Sequence, residues 1–348
     1  MKLINLLIAT MCIVAIYCKS NSVEKTEKHL YKQNNVIDVS DKIIDIKTEL
    51  LFGKCHMYVV DKYLVVAEVV PSGDRGIHLF DLKTFAYITS GAIVGKGPGE
   101  VSRQGRLGID SKNRIIWVSD HGKRTMWKFP LDSILNNKMY KPTERLDLNN
   151  ELFIERFGFL NDTIAIGKAV RVLSSNSFEM TTAKLNTKTN AIEVFGYEHP
   201  DAVGKKSNSM FHVSLKNGIY VNCYYYCDLM TICDLNGNLK FNVYGDNPIN
   251  SKDLKYSYFF GVDIIDSTIV ASYIGDVMEI LDEHQRPMGN LPTKFFVFDV
   301  DGNYKATLET GSKFTSFCLD EENKRVIVYF SGRENPLGYF ELNVSELE

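Results

Sequence analysis

From Val36 to the C-terminus, short runs rich in β-branched and aromatic residues recur, each bounded by Asn, Asp, Gly or Ser. RIIWVSD at Arg114–Asp120, STIVASY at Ser267–Tyr273 and KRVIVYF at Lys324–Phe330 are examples. Such runs read as strands, and no amphipathic helical period longer than about ten residues interrupts them. The bounding residues tolerate tight turns, so neighbouring runs are expected to pair antiparallel through hairpins. The expected class is all-β.

The runs repeat. Outer-turn segments align at LFDLKTFAYI, KFPLDSI, AKLNTKTNAIEV, ICDLNGNLKF, VFDVDGNYKA and YFELNVSEL. With Asp81, Asp132, Asn186, Asp234, Asp299 and Glu341 as register marks, the intervals are 51, 54, 48, 65 and 42 residues. The long interval absorbs an insertion near Glu283–Pro292. A second pattern precedes the first in most copies: a short strand, a polar turn, then a strongly β-branched strand, clearest in RLGIDSKNRIIWVSD from Arg106. Each copy therefore reads as a four-stranded meander of blade size. Radial repetition of meanders hides sheet edges. The sequence thus predicts a six-bladed β-propeller of four-stranded antiparallel blades over 36–348. VIDVSDKIIDIKTEL, which lies before the first full copy, is expected to complete the last blade.

The N-terminus is of another kind. Lys2 begins a short basic region, and the apolar run Leu3–Tyr17 has the form of a secretory signal. Roughly 15 apolar residues are too few to span a bilayer core as a helix. Ala15, Ile16 and Tyr17 before Cys18 resemble the lipobox of bacterial lipoproteins, with Leu and a small residue replaced by Ala15 and Tyr17. The expectation is a signal segment over 1–18 with lipidation at Cys18, simple secretion being the alternative. Residues 19–35 are polar and read as a flexible tether.

Composition excludes some functions. Lys and Arg number 40 against 43 Asp and Glu, a net charge of −3, and no basic cluster gives a nucleic-acid footprint. Beyond the signal, Cys55, Cys223, Cys227, Cys233 and Cys318 are too sparse to define the fold. For Cys223, Cys227 and Cys233 three readings stand: buried thiols, one disulfide with Cys223 facing Cys233 across a hairpin, or a metal site whose second ligand pair is missing.

IVGKGPGEVS, at Ile93–Ser102, has the look of a phosphate loop. Lys96 precedes Gly97 instead of following a glycine before Ser or Thr, and Glu100 stands where a dinucleotide loop continues toward its last glycine, so both nucleotide patterns fail. Pro98 and Gly99 instead suit the second and third positions of a type II turn across Gly97–Glu100. Glu100 is expected to cap a neighbouring backbone amide. DVDGNY from Asp299 resembles the start of a calcium loop, but DLNGN recurs at Asp234 in the same position of its copy, and both read as hairpin turns.

GKGPGE followed by RLGIDSKNRIIWVSD, after a lipobox and a polar tether, resembles the TolB-like six-bladed propeller lipoproteins of Gram-negative gut bacteria, related in turn to NHL-type propellers. The resemblance spans about Val36–Glu348. It implies export, a lipid-anchored address at the outer membrane of a Gram-negative bacterium, facing the periplasm or the surface, and a ligand-binding or interaction role.

The serine-hydrolase and HExxH signatures are missing. Polar residues near the starts of the copies are His56, Arg106, Arg156, His212 and Tyr258, with Lys313. These read either as solvated residues of a channel mouth or as a ligand site, in which Arg106 and Arg156 bind an anionic or polar group and His212 assists. The expected protein is a monomeric, membrane-tethered propeller without catalytic residues, metal or cofactor. It would bind a polar small molecule, a glycan or a protein partner. A propeller lyase or hydrolase using Arg and His at the axial mouth is the alternative, and an assembly protein without a small-molecule site is a third reading.

Overall fold

The structure is a computed structural model that describes residues 26–30, 33–50, 52–148, 151–174, 177–203, 208–246 and 254–343. The signal segment, Cys18 and most of the tether lie outside the described residues.

Regular structure is nearly all strand. Cys55–Val60, Tyr63–Glu68, Arg75–Asp81 and Tyr87–Ile93 form an antiparallel meander. Gln104–Asp110, Ile115–Asp120, Thr125–Pro130 and Arg145–Asp147 form the next, with the helix Leu131–Asn136 following its third strand. A third comprises Leu152–Phe159, Ile164–Ser174, Ser177–Asn186 and Ala191–Val194, joined to the second by one parallel pair, Gly158 with Ile109. Ser209–Ser214, Ile219–Tyr224, Leu229–Asp234 and Leu239–Tyr244 follow. So do Tyr256–Ile265, Thr268–Val277, Lys294–Asp299 and Tyr304–Glu309. The expected insertion is a small hairpin, Glu279–Leu281 with Pro287–Gly289, between the second and third of these strands. The last sheet is Phe314–Asp320, Arg325–Phe330 and Leu337–Glu341, closed by Ile44–Asp45.

The N-terminal segments are therefore shared among three sheets. Ile44–Asp45 completes the last sheet as expected, but Val36–Asp38 of the same stretch pairs parallel with Thr307–Glu309 of the preceding one. Glu27–His29, within the segment read as a tether, pairs parallel with Asn242–Tyr244. These short pieces satisfy outer strands that would otherwise expose a row of unpaired backbone groups.

The turns explain why the register marks repeat. The Asp234 carboxylate accepts the N–H groups of Asn236 and Asn238, both at 2.9 Å, and Asp299 accepts those of Asp301 and Asn303 at 3.1 and 2.8 Å. In each case a glycine with positive φ follows, Gly237 or Gly302. DLNGN and DVDGNY are thus the same side-chain-capped hairpin.

Apolar side chains of adjacent sheets interlock. Val65, Leu79, Val118 and Phe129 bind the first sheet to the second, Met230, Ile232, Phe259 and Phe296 the fourth to the fifth, and Cys55, Leu64, Ile327 and Leu337 the last to the first. The contact of last with first closes the sheets into a ring, reinforced where the Met57 N–H donates to Ser316 Oγ at 3.3 Å. The first strand of each meander lines the inside.

Candidate functional site

His56 and Arg106 lie near the starts of the inner strands Cys55–Val60 and Gln104–Asp110, and Arg156 is the fifth of the eight residues of the inner strand Leu152–Phe159. In antiparallel register that end of each sheet also carries the hairpin between its second and third strands, so His56 and Arg106 share one face of the ring and Arg156 lies further along the channel. Both arginines sit at register breaks: the pairing slips between Gln104 and Leu107, and again between Ile154 and Arg156. A bulge breaks the in-and-out alternation and re-aims a side chain, a device common beside binding sites.

The bulges bring the two guanidiniums together around His56 and Tyr58. Arg106 acts electrostatically on the Tyr58 hydroxyl, which accepts the Leu107 N–H at 3.2 Å. Arg156 donates through Nη1 to the Ser209 carbonyl at 3.3 Å and lies 3.5 Å from Glu155. Its Nε is buried without a partner among the described residues. Burial and the neighbouring Arg106 lower the Arg156 pKa to about 10. Burial first, and then Arg106, Arg156 and Lys54, hold the His56 imidazole well below its usual range. Burial raises the Tyr58 hydroxyl, with Arg106 opposing it. Two guanidiniums against one carboxylate leave the group net positive, and its histidine is neutral. Arginine forks match planar or tetrahedral oxyanions in two-point contacts, so the vacant donor capacity here suits an anion.

His212 lies elsewhere. Its Nδ1 is 3.0 Å from Asp263 Oδ1, and the other oxygen of Asp263 accepts the Leu319 N–H at 2.9 Å. The pair fixes the imidazole orientation at a deeper level of the inner strands, two residues before the ends of Ser209–Ser214 and Tyr256–Ile265. Tyr258, expected at the mouth, packs into the apolar cluster of Met210, Phe259 and Tyr273. Register slips on both sides of Phe259 displace the alternation that sequence reading assumes. Phe260 lines the mouth instead, beside Tyr225 at 6.2 Å. The Lys313 carbonyl accepts the Ser331 N–H at 2.8 Å, a backbone contact within the last sheet.

Sequence reasoning missed Tyr58 and Asp263. Tyr58 stands two residues after His56 on the same strand face, and that period was a usable signal. Asp263 meets His212 across two sheets, a pairing without local trace.

The GKGPGE stretch is a turn on the same face. Gly99 has φ of +66°, and the Glu100 N–H donates to the Gly97 carbonyl at 3.2 Å. Glu100 Oε2 accepts the Gly97 N–H at 2.7 Å, and Lys141 donates to Oε1 at 2.8 Å. Lys123 donates to the carbonyls of Gly97 and Glu100 at 2.7 and 2.6 Å. A Cβ on Gly95 would come within 2.1 Å of the Glu100 carboxylate. The glycines thus make room for the chain's own carboxylate, which occupies the amide a phosphate would need.

Cys55, Cys223, Cys227, Cys233 and Cys318 are buried and form no disulfide among the described residues. Cys233 stands opposite Tyr220 and Cys223 opposite Met230, so the register does not place the two cysteines across from each other.

No family model and no curated protein matches the chain. Solved structures do. A member of the DUF4221 family from Bacteroides vulgatus superimposes with a TM-score of 0.61 at 10% identity, covering 89% of this chain and 98% of the other. A luciferin-regenerating enzyme gives 0.55 at 9% identity, over 87% and 95%. A Bacteroides fragilis protein described as exported gives 0.53 at 10%, over 87% of each. At such identities the likeness concerns the fold alone, and with the ring of meanders it makes the chain a β-propeller.

Proposed function

We propose that the chain is an exported, TolB-like propeller of six four-stranded blades, lipid-anchored at Cys18, whose axial mouth binds an anionic ligand without transforming it. The observation that carries the binding role is the convergence of Arg106 and Arg156 on His56 and Tyr58 with a single carboxylate in contact. Like charges forced together in a partly buried channel are costly unless a counter-charge arrives. The sequence of the N-terminus supports the anchor, and the six repeated meanders support the blade count. In this reading the arginines grip the oxyanion, Tyr58 adds a hydroxyl, and His56 stays neutral until the anion is bound.

Calorimetric titration of the full chain with inorganic phosphate and with sulfate tests the site. Arg106→Ala and Arg156→Ala should each weaken binding about tenfold or more, since each removes charge-assisted hydrogen bonds. Unchanged affinity in both variants would sink the reading. The anchor is tested separately: a clickable fatty acid should label the wild-type chain and not Cys18→Ala.

The His212–Asp263 pair favours one other reading, a lyase or hydrolase in which an oriented imidazole moves a proton. Turnover of a glycan or lactone panel that His212→Asn abolishes would establish it.

A further inference from the structure

We infer that the ligand of this mouth is an amphiphilic anion, with its acidic group held by Arg106 and Arg156 and an aromatic or apolar body seated in the cavity beside them. The inference rests on the anion reading above and adds the chemical class of the remainder of the molecule.

A cavity of about 530 Å³ opens on the same face, between the first, fifth and last sheets and beside the 279–289 hairpin. Its size is that of a small-molecule site. Phe52, Phe260, Leu291, Tyr329 and Phe330 supply its apolar wall. Two polar groups there are already engaged. The Tyr329 hydroxyl donates to the Phe52 carbonyl, and Arg333 lies over the Phe330 ring at 4.6 Å while its Nη2 donates to Asp45 at 2.7 Å. Of the apolar lining, Phe260 and Leu291 are the partly exposed members, while Phe52, Tyr329 and Phe330 are buried behind them and Lys54, Thr315, Ser331 and Glu334 complete the rim. Phe260 continues this surface toward Tyr225 and Tyr226, whose rings meet edge to face at 4.8 Å.

Lys54 joins the two halves. It lines the cavity, and its charge is among those acting on His56. Thr315 and Phe260 are likewise inner-strand residues, so the cavity borders the channel that holds the arginines. A bare oxyanion would satisfy the guanidiniums and leave the partly exposed Phe260 and Leu291 wet. A neutral apolar molecule would fill the cavity and leave the guanidiniums unpaired. One molecule carrying both parts meets both demands.

The test compares inorganic phosphate, phenyl phosphate, 1-naphthyl phosphate and neutral 1-naphthol on the full chain by calorimetry. The expected result is that phenyl phosphate binds about tenfold tighter than inorganic phosphate and the naphthyl ester tighter still, as apolar area leaves water. Two substitutions should return the aryl esters to the inorganic value while leaving inorganic phosphate unchanged. Phe260→Ala removes part of the wall. Gly289→Trp fills the cavity from a position with no atom within 4 Å of a new Cβ, so it disturbs no packed group. Aryl esters that bind no tighter than inorganic phosphate, or a gain that survives both substitutions, would overturn the amphiphile and leave the anion site standing. Absence of inorganic phosphate binding, with the naphthyl ester no better than 1-naphthol, would overturn both.

Discussion

His56 couples the candidate site to stability. Its imidazole is held well below the usual range, first by burial and then by Arg106 and Arg156. The unfolded chain takes up this proton near pH 6.5 and the folded chain does not, so stability conferred by the neutral ring is present above that pH and is lost as pH falls below it. One such proton gives a slope of about 1.4 kcal/mol per pH unit. Urea midpoints measured from pH 7.5 to 5 should therefore fall more steeply for wild type than for His56→Asn. A bound anion opposes the field of the arginines, so sulfate should bind more tightly as pH drops over the same interval, and less so in the variant. A second residue-scale prediction concerns Gly99. At φ of +66°, with the Lys141 Cβ and the Pro142 carbonyl both 2.8 Å from any Cβ, Gly99→Ala meets both strain and a clash. Chemical denaturation should show a loss of about 1–3 kcal/mol. Gly73→Ala, where a Cβ meets nothing within 4 Å, is the control. The turn role of Gly99 was legible because Pro followed by Gly encodes backbone geometry locally. Lys123 and Lys141, which hold this loop, were not, because they arrive from other loops.

At the scale of elements, the decisive segment is the short strand Ile44–Asp45. The last sheet has three strands from the C-terminus and one from the N-terminus, so chain ends meet where the ring closes. The adjoining Ile46 is buried, and its N–H donates to the Leu337 carbonyl at 2.8 Å. Ile46→Pro removes that donor, and a loss of about 3 kcal/mol is expected in equilibrium unfolding. A loss under 1 kcal/mol would mean that closure does not depend on this pairing. Meanders and hairpins were legible in the sequence since alternation and Asx turns are local signals. Strand additions were less so: Val36–Asp38 and Glu27–His29 carry little pattern, and parallel pairing to a distant outer strand leaves none in either partner. Bulges were invisible for the same reason, and they explain why Phe260 took the place expected for Tyr258.

For the whole molecule, the ring predicts cooperative exposure of its thiols. Cys55, Cys223, Cys233 and Cys318 are at most 2% exposed, and burial raises all four thiols, Cys55 and Cys233 to about 12. They lie in the first, fourth and last sheets. Iodoacetamide at pH 8 should label none of the four in the native protein, and all should become reactive across one urea transition. Labelling of one thiol well before the others would show that the sheets open independently.

The sequence by itself determined the all-β class, the repeated meander, the turn chemistry of GKGPGE, DLNGN and DVDGNY, and three of the residues that meet at the mouth. These follow from period, turn propensity and position within a repeat, all of which act over a few residues. The tertiary structure alone decided that Arg106 and Arg156 converge on His56 and Tyr58, that His212 pairs with Asp263 instead, and that an aromatic cavity adjoins the arginines. Those arrangements depend on bulges and on ring closure, which bring together side chains from different sheets and have no local signature.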